Sequence, residues 1–108
     1  MNVLFVCSRN RRRSLTAEAL FSGRAGLSVL SAGTRADAET VISADLVEWA
    51  DLILAMEKHH RDDLTRRFGK LLQDRKIAIL GIRDQFDYMD SELVRLLQQK
   101  VEKFITRT

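Results

Sequence analysis

Residues 7–14 read Cys-Ser-Arg-Asn-Arg-Arg-Arg-Ser, which puts the only thiol of the chain, Cys7, six positions before Arg13 and the adjoining hydroxyl of Ser14. A thiolate is a nucleophile, and a planar guanidinium fits the oxygens of a phosphoryl group through paired hydrogen bonds. If the residues between them form a loop that runs into a helix, successive backbone N–H groups make a concave anion site at the helix N-terminus. That positive field favours the thiolate form of a cysteine at the base of the loop. Ser14 is placed to give its hydroxyl to the sulfur when sulfur becomes a leaving group, and Asn10 to bridge backbone groups and hold the loop's shape. Ser8, Arg9, Asn10, Arg11, Arg12, Arg13 and Ser14 are therefore the candidate phosphate-binding set, with Cys7 as candidate nucleophile.

Such a loop needs a buried strand before it and a helix after it. Residues 2–7, apolar from Val3 on, stop abruptly at polar residues, as a buried parallel strand does. Residues 14–22 place Leu15, Ala19 and Leu20 on one side of a helical wheel, with Gly23 as the stop. A second strand is expected over 27–32, closed by Gly33-Thr34. Ile42, Leu46 and Trp49 recur at helical spacing and predict a helix over 38–50 with Trp49 turned to the core. Residues 52–56 read as another buried strand, 58–68 as a helix with Leu64 and Phe68 inward and Gly69 as its stop, and 76–80 as a fourth strand ended by Gly81. The last helix starts near Asp90, its N-cap, with Leu93, Leu97, Val101 and Phe104 on one stripe. His59 and His60, adjacent on a polar stretch, are expected to be solvated and to share no face. Strands alternating with helices predict a small doubly wound α/β fold, a three-layer sandwich around a four-stranded parallel sheet.

Composition narrows the remaining choices. With 108 residues, 45% hydrophobic and 31% charged, the chain suffices for one core, so residues 1–108 are expected to form a single domain. No apolar run predicts a membrane span or signal peptide, which leads to the expectation of a cytoplasmic protein without a membrane partner. One cysteine forms no internal disulfide, and two adjacent histidines far along the chain make a poor zinc site, so neither metal nor cofactor is expected. Residues 1–35 carry six arginines against Glu18 alone, a net of +5, while the whole chain has only +3. The positive charge is thus gathered around the loop, where an anion is the natural partner.

The pattern Cys7-x-x-Asn10-x-x-Arg13-Ser14 straight after an N-terminal strand resembles the signature of the low-molecular-weight protein tyrosine phosphatases. The resemblance continues through Ser31-Ala32-Gly33-Thr34 and through residues 51–57 with Arg61-Asp62-Asp63-Leu64, and so covers most of the chain in order. It implies the strand order 2-1-3-4 with the phosphate-binding loop after strand 1, and phosphomonoester hydrolysis through a phosphocysteine. It also implies a general acid on the loop after the fourth strand, where the family has Asp-Pro and then an aromatic residue. Asp84 and Phe86 take those places; the proline is missing, and Asp87 competes with Asp84 for the role.

Two further departures bear on the substrate. The stretch from Gly33 to Ala50 is shorter than in the family, which reduces whatever walls the pocket there. Arg9, Arg11 and Arg12 stand where the family places small or apolar residues, so the rim is expected to be unusually cationic. Protein phosphotyrosine is the substrate the resemblance implies; a cationic rim also suits an acidic phosphopeptide, a phosphoinositide or the phosphorylated end of an RNA. A non-catalytic polyanion-binding module is the alternative from another class, although phosphate binding alone requires neither Cys7 nor Ser14. Arsenate reductases share this scaffold but relay oxidation through further cysteines, which this chain lacks. Tyr88 is expected as a wall of the pocket. The sequence gives no sign of the oligomeric state.

Overall fold

The computed structural model describes residues 1–105. Its elements are β1 (Asn2–Cys7), α1 (Arg13–Phe21), β2 (Ser28–Gly33), α2 (Ala44–Trp49), β3 (Leu52–Ala55), α3 (Lys58–Phe68), β4 (Lys76–Ile79) and α4 (Ser91–Ile105), with a 3-10 turn at Gly69–Leu72. The four strands form one sheet in the order β2-β1-β3-β4, and every pairing is parallel. Side chains alternate across a strand, so a central strand buried on both faces must be apolar, as β1 is from Val3 to Cys7. Val3, Phe5 and Cys7 face the layer of α1 and α4, packing with Ala17, Phe21, Leu93 and Leu97. Leu4 and Val6 face the layer of α2 and α3, packing with Val47 and Leu64. The arrangement is the three-layer α/β sandwich expected from the sequence. No described helix is long and apolar enough to cross a membrane.

The helices differ from the sequence pattern where tertiary contacts outweigh periodicity. On α1 the buried residues are Arg13, Ser14, Thr16, Ala17 and Phe21, while Ala19 is exposed and Leu15 and Leu20 only half-buried. Phe21 stacks on Phe5 with ring centroids 5.9 Å apart, and on the first turn Arg13 and Ser14 are buried, with Ser14 Oγ against Cys7 at the end of β1. The helix expected over 38–50 is confined to Ala44–Trp49, and its buried residue is Val47, with Trp49 only partly buried. Residues 40–42 lie along the end of β2 instead: the Gly33 N–H donates to the Thr40 carbonyl at 2.8 Å, and the Ile42 N–H to the Gly33 carbonyl at 2.9 Å. Ser43 then caps α2 by accepting from the Leu46 N–H. Gly69 does not stop the chain in a left-handed turn; its φ of −45° leads on into the 3-10 turn. Asp90 does cap α4, accepting from the Glu92 N–H at 2.8 Å.

Parallel pairing sets Cys7 opposite Gly33 at the C-terminal edge of the sheet. A Cβ on Gly33 would lie 2.5 Å from the Ser8 carbonyl oxygen and 2.6 Å from the Ala38 Cβ, so the loop after β1 rests directly on this glycine. Gly33→Ala is expected to displace backbone and to cost about 1–3 kcal/mol, read as a lowered urea midpoint; an unchanged midpoint would contradict the close packing described.

Candidate active site

The central strand delivers Cys7 to the edge of the sheet, where ligands of doubly wound folds bind. Cys7 is buried, and its Sγ lies 2.9 Å from the Ser14 Oγ and accepts the Asn10 N–H at 3.2 Å. Asn10 Nδ2 donates to the same Ser14 oxygen at 2.7 Å, so the Ser14 hydroxyl proton is left for the sulfur. The third group of Asn10, Oδ1, accepts the Thr40 N–H at 3.1 Å. Asn10 also has φ +55°, a left-handed conformation in which asparagine is among the few tolerated side chains. One residue thus turns the chain, donates to the nucleophile, orients its hydroxyl partner and ties the loop to the segment that follows β2.

That segment takes up the carbonyl groups of the loop. Thr34, Arg35 and Glu39 donate their backbone N–H groups to the carbonyls of Cys7, Ser8 and Arg9 at 2.9, 2.9 and 3.1 Å. Carbonyls directed outward are the counterpart of N–H groups lining a concave side, the arrangement that receives an anion.

Arg13, 2% exposed, forms the floor on the other side. Its Nη1 donates to Glu57 Oε1 at 2.5 Å and to the Ile82 carbonyl at 2.7 Å, and its Nε lies 3.9 Å from Asp84 Oδ1. Burial works against the Glu57 carboxylate, but the hydrogen bond and charge of Arg13, with a smaller contribution from His59, hold it below the ordinary glutamate range. A cavity of about 100 Å³ opens among Cys7, the loop residues Ser8, Arg9, Arg11, Arg12 and Arg13, and Asp84. It is narrow, with the scale of a single tetrahedral anion.

Asp84 and Asp87 are separated by this geometry. Asp84 stands at the mouth with its side chain 59% exposed, whereas Asp87 is exposed outside the lining, its carbonyl accepting the Asp90 N–H. Although the loop lacks proline, three contacts fasten it: the Ile82 carbonyl to Arg13, Phe86 packed against the α1/α4 core, and the Met89 N–H to Thr16 Oγ1 at 3.0 Å. Tyr88, expected as a wall, is 52% exposed and does not line the cavity.

The rim is less cationic than the sequence implies. Arg9 lies 3.8 Å from Asp37 and Arg11 3.5 Å from Glu39, so the short segment after β2 brings acidic groups to two of the three rim arginines. Sequence alone does not pair residues that far apart.

The expectation for His60 was wrong. It is fully buried, accepts the Glu57 N–H on Nδ1 at 3.1 Å, and therefore carries its proton on Nε2, which donates to Ser8 Oγ at 2.9 Å. His60 joins the start of α3 to the loop. Burial first, then the charges of His59 and Arg13, push its pKa down to about 4, with Glu57 and Asp63 opposing weakly. The signal available beforehand was its place three residues after Glu57, where a side chain folds back onto the N-cap backbone. His59 is exposed as expected. Glu57, His59 and His60 present ligand atoms within 4.8 Å of one another; of these, Glu57 Oε1 is engaged by Arg13 and both nitrogens of His60 by the bonds just described.

No protein-family profile matches the sequence, and comparison with curated proteins found no match. The likeness lies in the fold. The chain is similar to a low molecular weight protein tyrosine phosphatase from Bacillus subtilis, at 27% identity and TM-score 0.71 over 99% of this chain and 100% of that one. It is similar also to a Cys→Ser mutant of the YwlE arginine phosphatase with a phosphorylated active-site serine, at 26% identity and TM-score 0.73 over 96% and 95%. The tyrosine phosphatase Wzb from Escherichia coli K30, in complex with phosphate, shares the fold at 20% identity and TM-score 0.75 over 95% and 94%. In fold, and in the place of Cys7 at the end of the first strand, the chain is similar to the low-molecular-weight protein tyrosine phosphatases.

The buried neutral imidazole has a consequence for pH. Since the folded pKa of His60 lies near 4 and the unfolded value near 6.5, the unfolded chain binds the extra proton between them, and stability falls as pH falls through that window. Between pH 6.5 and 4.5 the loss from this one group is expected to reach about 2–3 kcal/mol. Urea unfolding of wild type and His60→Gln across this range checks it: the wild type should carry the steeper slope, and parallel slopes would contradict a buried neutral His60.

Proposed function

We propose that the protein is a cysteine-dependent phosphatase that hydrolyses phosphomonoesters, with protein phosphotyrosine as its substrate, through a phosphocysteine intermediate. The observation that carries this reading is the pair of bonds on Cys7 Sγ, from the Asn10 N–H and the Ser14 hydroxyl, in a cavity that Arg13 also lines. A binding module has no use for a hydrogen-bonded sulfur at the base of its anion site. A nucleophile that must also leave does.

In the first step Cys7 Sγ attacks phosphorus, the P–S bond forms as the ester P–O bond breaks, and Asp84 gives its proton to the departing oxygen. Arg13 and the loop N–H groups of residues 8–14 stabilise charge on the equatorial oxygens. Glu57 keeps Arg13 in place by holding Nη1, and its low pKa keeps that carboxylate charged at neutral pH. In the second step water attacks phosphorus, Asp84 takes its proton, and the P–S bond breaks to return the thiolate, which the Ser14 hydroxyl stabilises by donating to sulfur. Asp84 is favoured over Asp87 because it lines the cavity and stands beside Arg13.

Phosphate release from phosphotyrosyl, phosphoseryl and phosphoarginyl peptides, a phosphoinositide and a 3′-phosphorylated RNA tests the reading. Turnover should be greatest on the phosphotyrosyl peptide and absent in Cys7→Ser, which should still bind phosphate; release that persists in Cys7→Ser would remove the thiol from the mechanism. Asp84→Ala should lower kcat on an alkyl phosphate by roughly 10²–10⁴-fold and on p-nitrophenyl phosphate far less, because nitrophenolate leaves without a proton. Equal losses on both substrates would take the acid role from Asp84.

A further inference from the structure

The phosphatase reading leaves open what the substrate presents beyond its phosphoryl group, and the charges at the cavity mouth bear on this. Four arginines belong to the loop and its exit into α1. Arg13 is buried against Glu57, Arg9 faces Asp37, and Arg11 faces Glu39. Arg12 is exposed, lines the cavity, and has no ion pair among the described residues. Its backbone is fixed all the same, because its carbonyl accepts both the Thr16 N–H at 2.9 Å and the Thr16 hydroxyl at 2.6 Å. A cavity of about 100 Å³ holds the phosphoryl group alone, so the rest of the substrate leaves past this rim.

We infer that Arg12 is a specificity-determining residue that pairs with a carboxylate flanking the phosphorylated residue, making acidic phosphopeptides the preferred substrate class. The inference rests on the phosphatase reading and narrows it. One open guanidinium suits one carboxylate. A nucleic-acid strand brings a row of phosphates and needs a row of unneutralised cations, and here Glu39 lies against Arg11 while Asp37 is shared by Arg9 and Arg35. Glutamate or aspartate beside the phosphorylated residue places its carboxylate within reach of the rim while the phosphoryl group occupies the floor.

The test compares kcat/KM for three phosphotyrosyl peptides that differ only in their flanking residues, Glu, Gln or Lys, with wild type, Arg12→Gln and Arg12→Glu, and with p-nitrophenyl phosphate as an unflanked substrate. Exposed ion pairs are modest, so wild type should prefer the Glu peptide to the Gln peptide by about threefold at low salt, and less at high salt. Arg12→Gln should lose the preference and Arg12→Glu should invert it toward the Lys peptide, an inversion that damage to the loop does not produce. If wild type hydrolyses p-nitrophenyl phosphate but treats Glu and Gln peptides alike, or if the preference survives in Arg12→Glu, the inference is overturned while the phosphatase reading stands. A 3′-phosphorylated oligoribonucleotide hydrolysed faster than every peptide would also overturn it. No turnover on any substrate, p-nitrophenyl phosphate included, defeats the phosphatase reading and the inference together.

Discussion

A guanidinium cannot be buried at the end of a sheet unless its charge and its donors are answered there, and the way Arg13 is answered organises the C-terminal edge of this fold. Its partners come from two places far apart in sequence: the Glu57 carboxylate at the start of α3 and the Ile82 carbonyl after β4. To satisfy one cation, the first turn of α1, the cap of α3 and the loop carrying Asp84 must meet at one point. Removing Glu57 would leave this buried charge with the Ile82 carbonyl and the more distant, exposed Asp84 carboxylate, the kind of loss that costs several kcal/mol. The same meeting sets Asp84 beside Arg13 at the mouth of the cavity, so the electrostatic demand of the floor also positions the candidate acid.

The sulfur is held by a second set of bonds with the same logic. Asn10 supplies the left-handed turn and three hydrogen-bonding groups, and each goes to a different element of the site: the nucleophile, its hydroxyl partner, and the segment after β2. That segment is short, yet it takes three successive carbonyls of the loop and brings Asp37 and Glu39 to the rim. On the far side His60 braces Ser8 from α3. The loop is thus fixed from α1, from α3 and from the stretch following β2, which is what a preorganised anion site requires: donors already aimed before the ligand arrives.

How much of this was readable in the sequence follows from the range of each interaction. Cys7, Asn10, Arg13 and Ser14 lie within eight residues between a buried strand and a helix, so type, spacing and context point to one loop. β1 and α3 have the bounds expected of them because their patterns are strong and local. The strand order followed from the resemblance, since hydrophobic patterning does not rank parallel strands. The N-terminal half of the helix expected over 38–50 was misread because the backbone of residues 40–42 finds its partners on Gly33, a tertiary contact that outweighs helical spacing. The buried face of α1 was misassigned for a like reason, the Phe5–Phe21 stack. His60 was misread because its burial depends on Ser8, a partner that no window of sequence joins to it, although its contact with the Glu57 backbone is local. The charge of the rim was overestimated through the same blindness to Asp37 and Glu39.

The central claim is that Cys7 carries the phosphoryl group between two chemical steps. Acid quenching of the wild-type protein during turnover of p-nitrophenyl phosphate, followed by mass spectrometry of its peptides, tests this most directly. The account predicts a phosphoryl adduct on the peptide containing Cys7, formed and lost at rates consistent with turnover. Phosphate release with Cys7 unmodified throughout, or an adduct on another side chain, would contradict it.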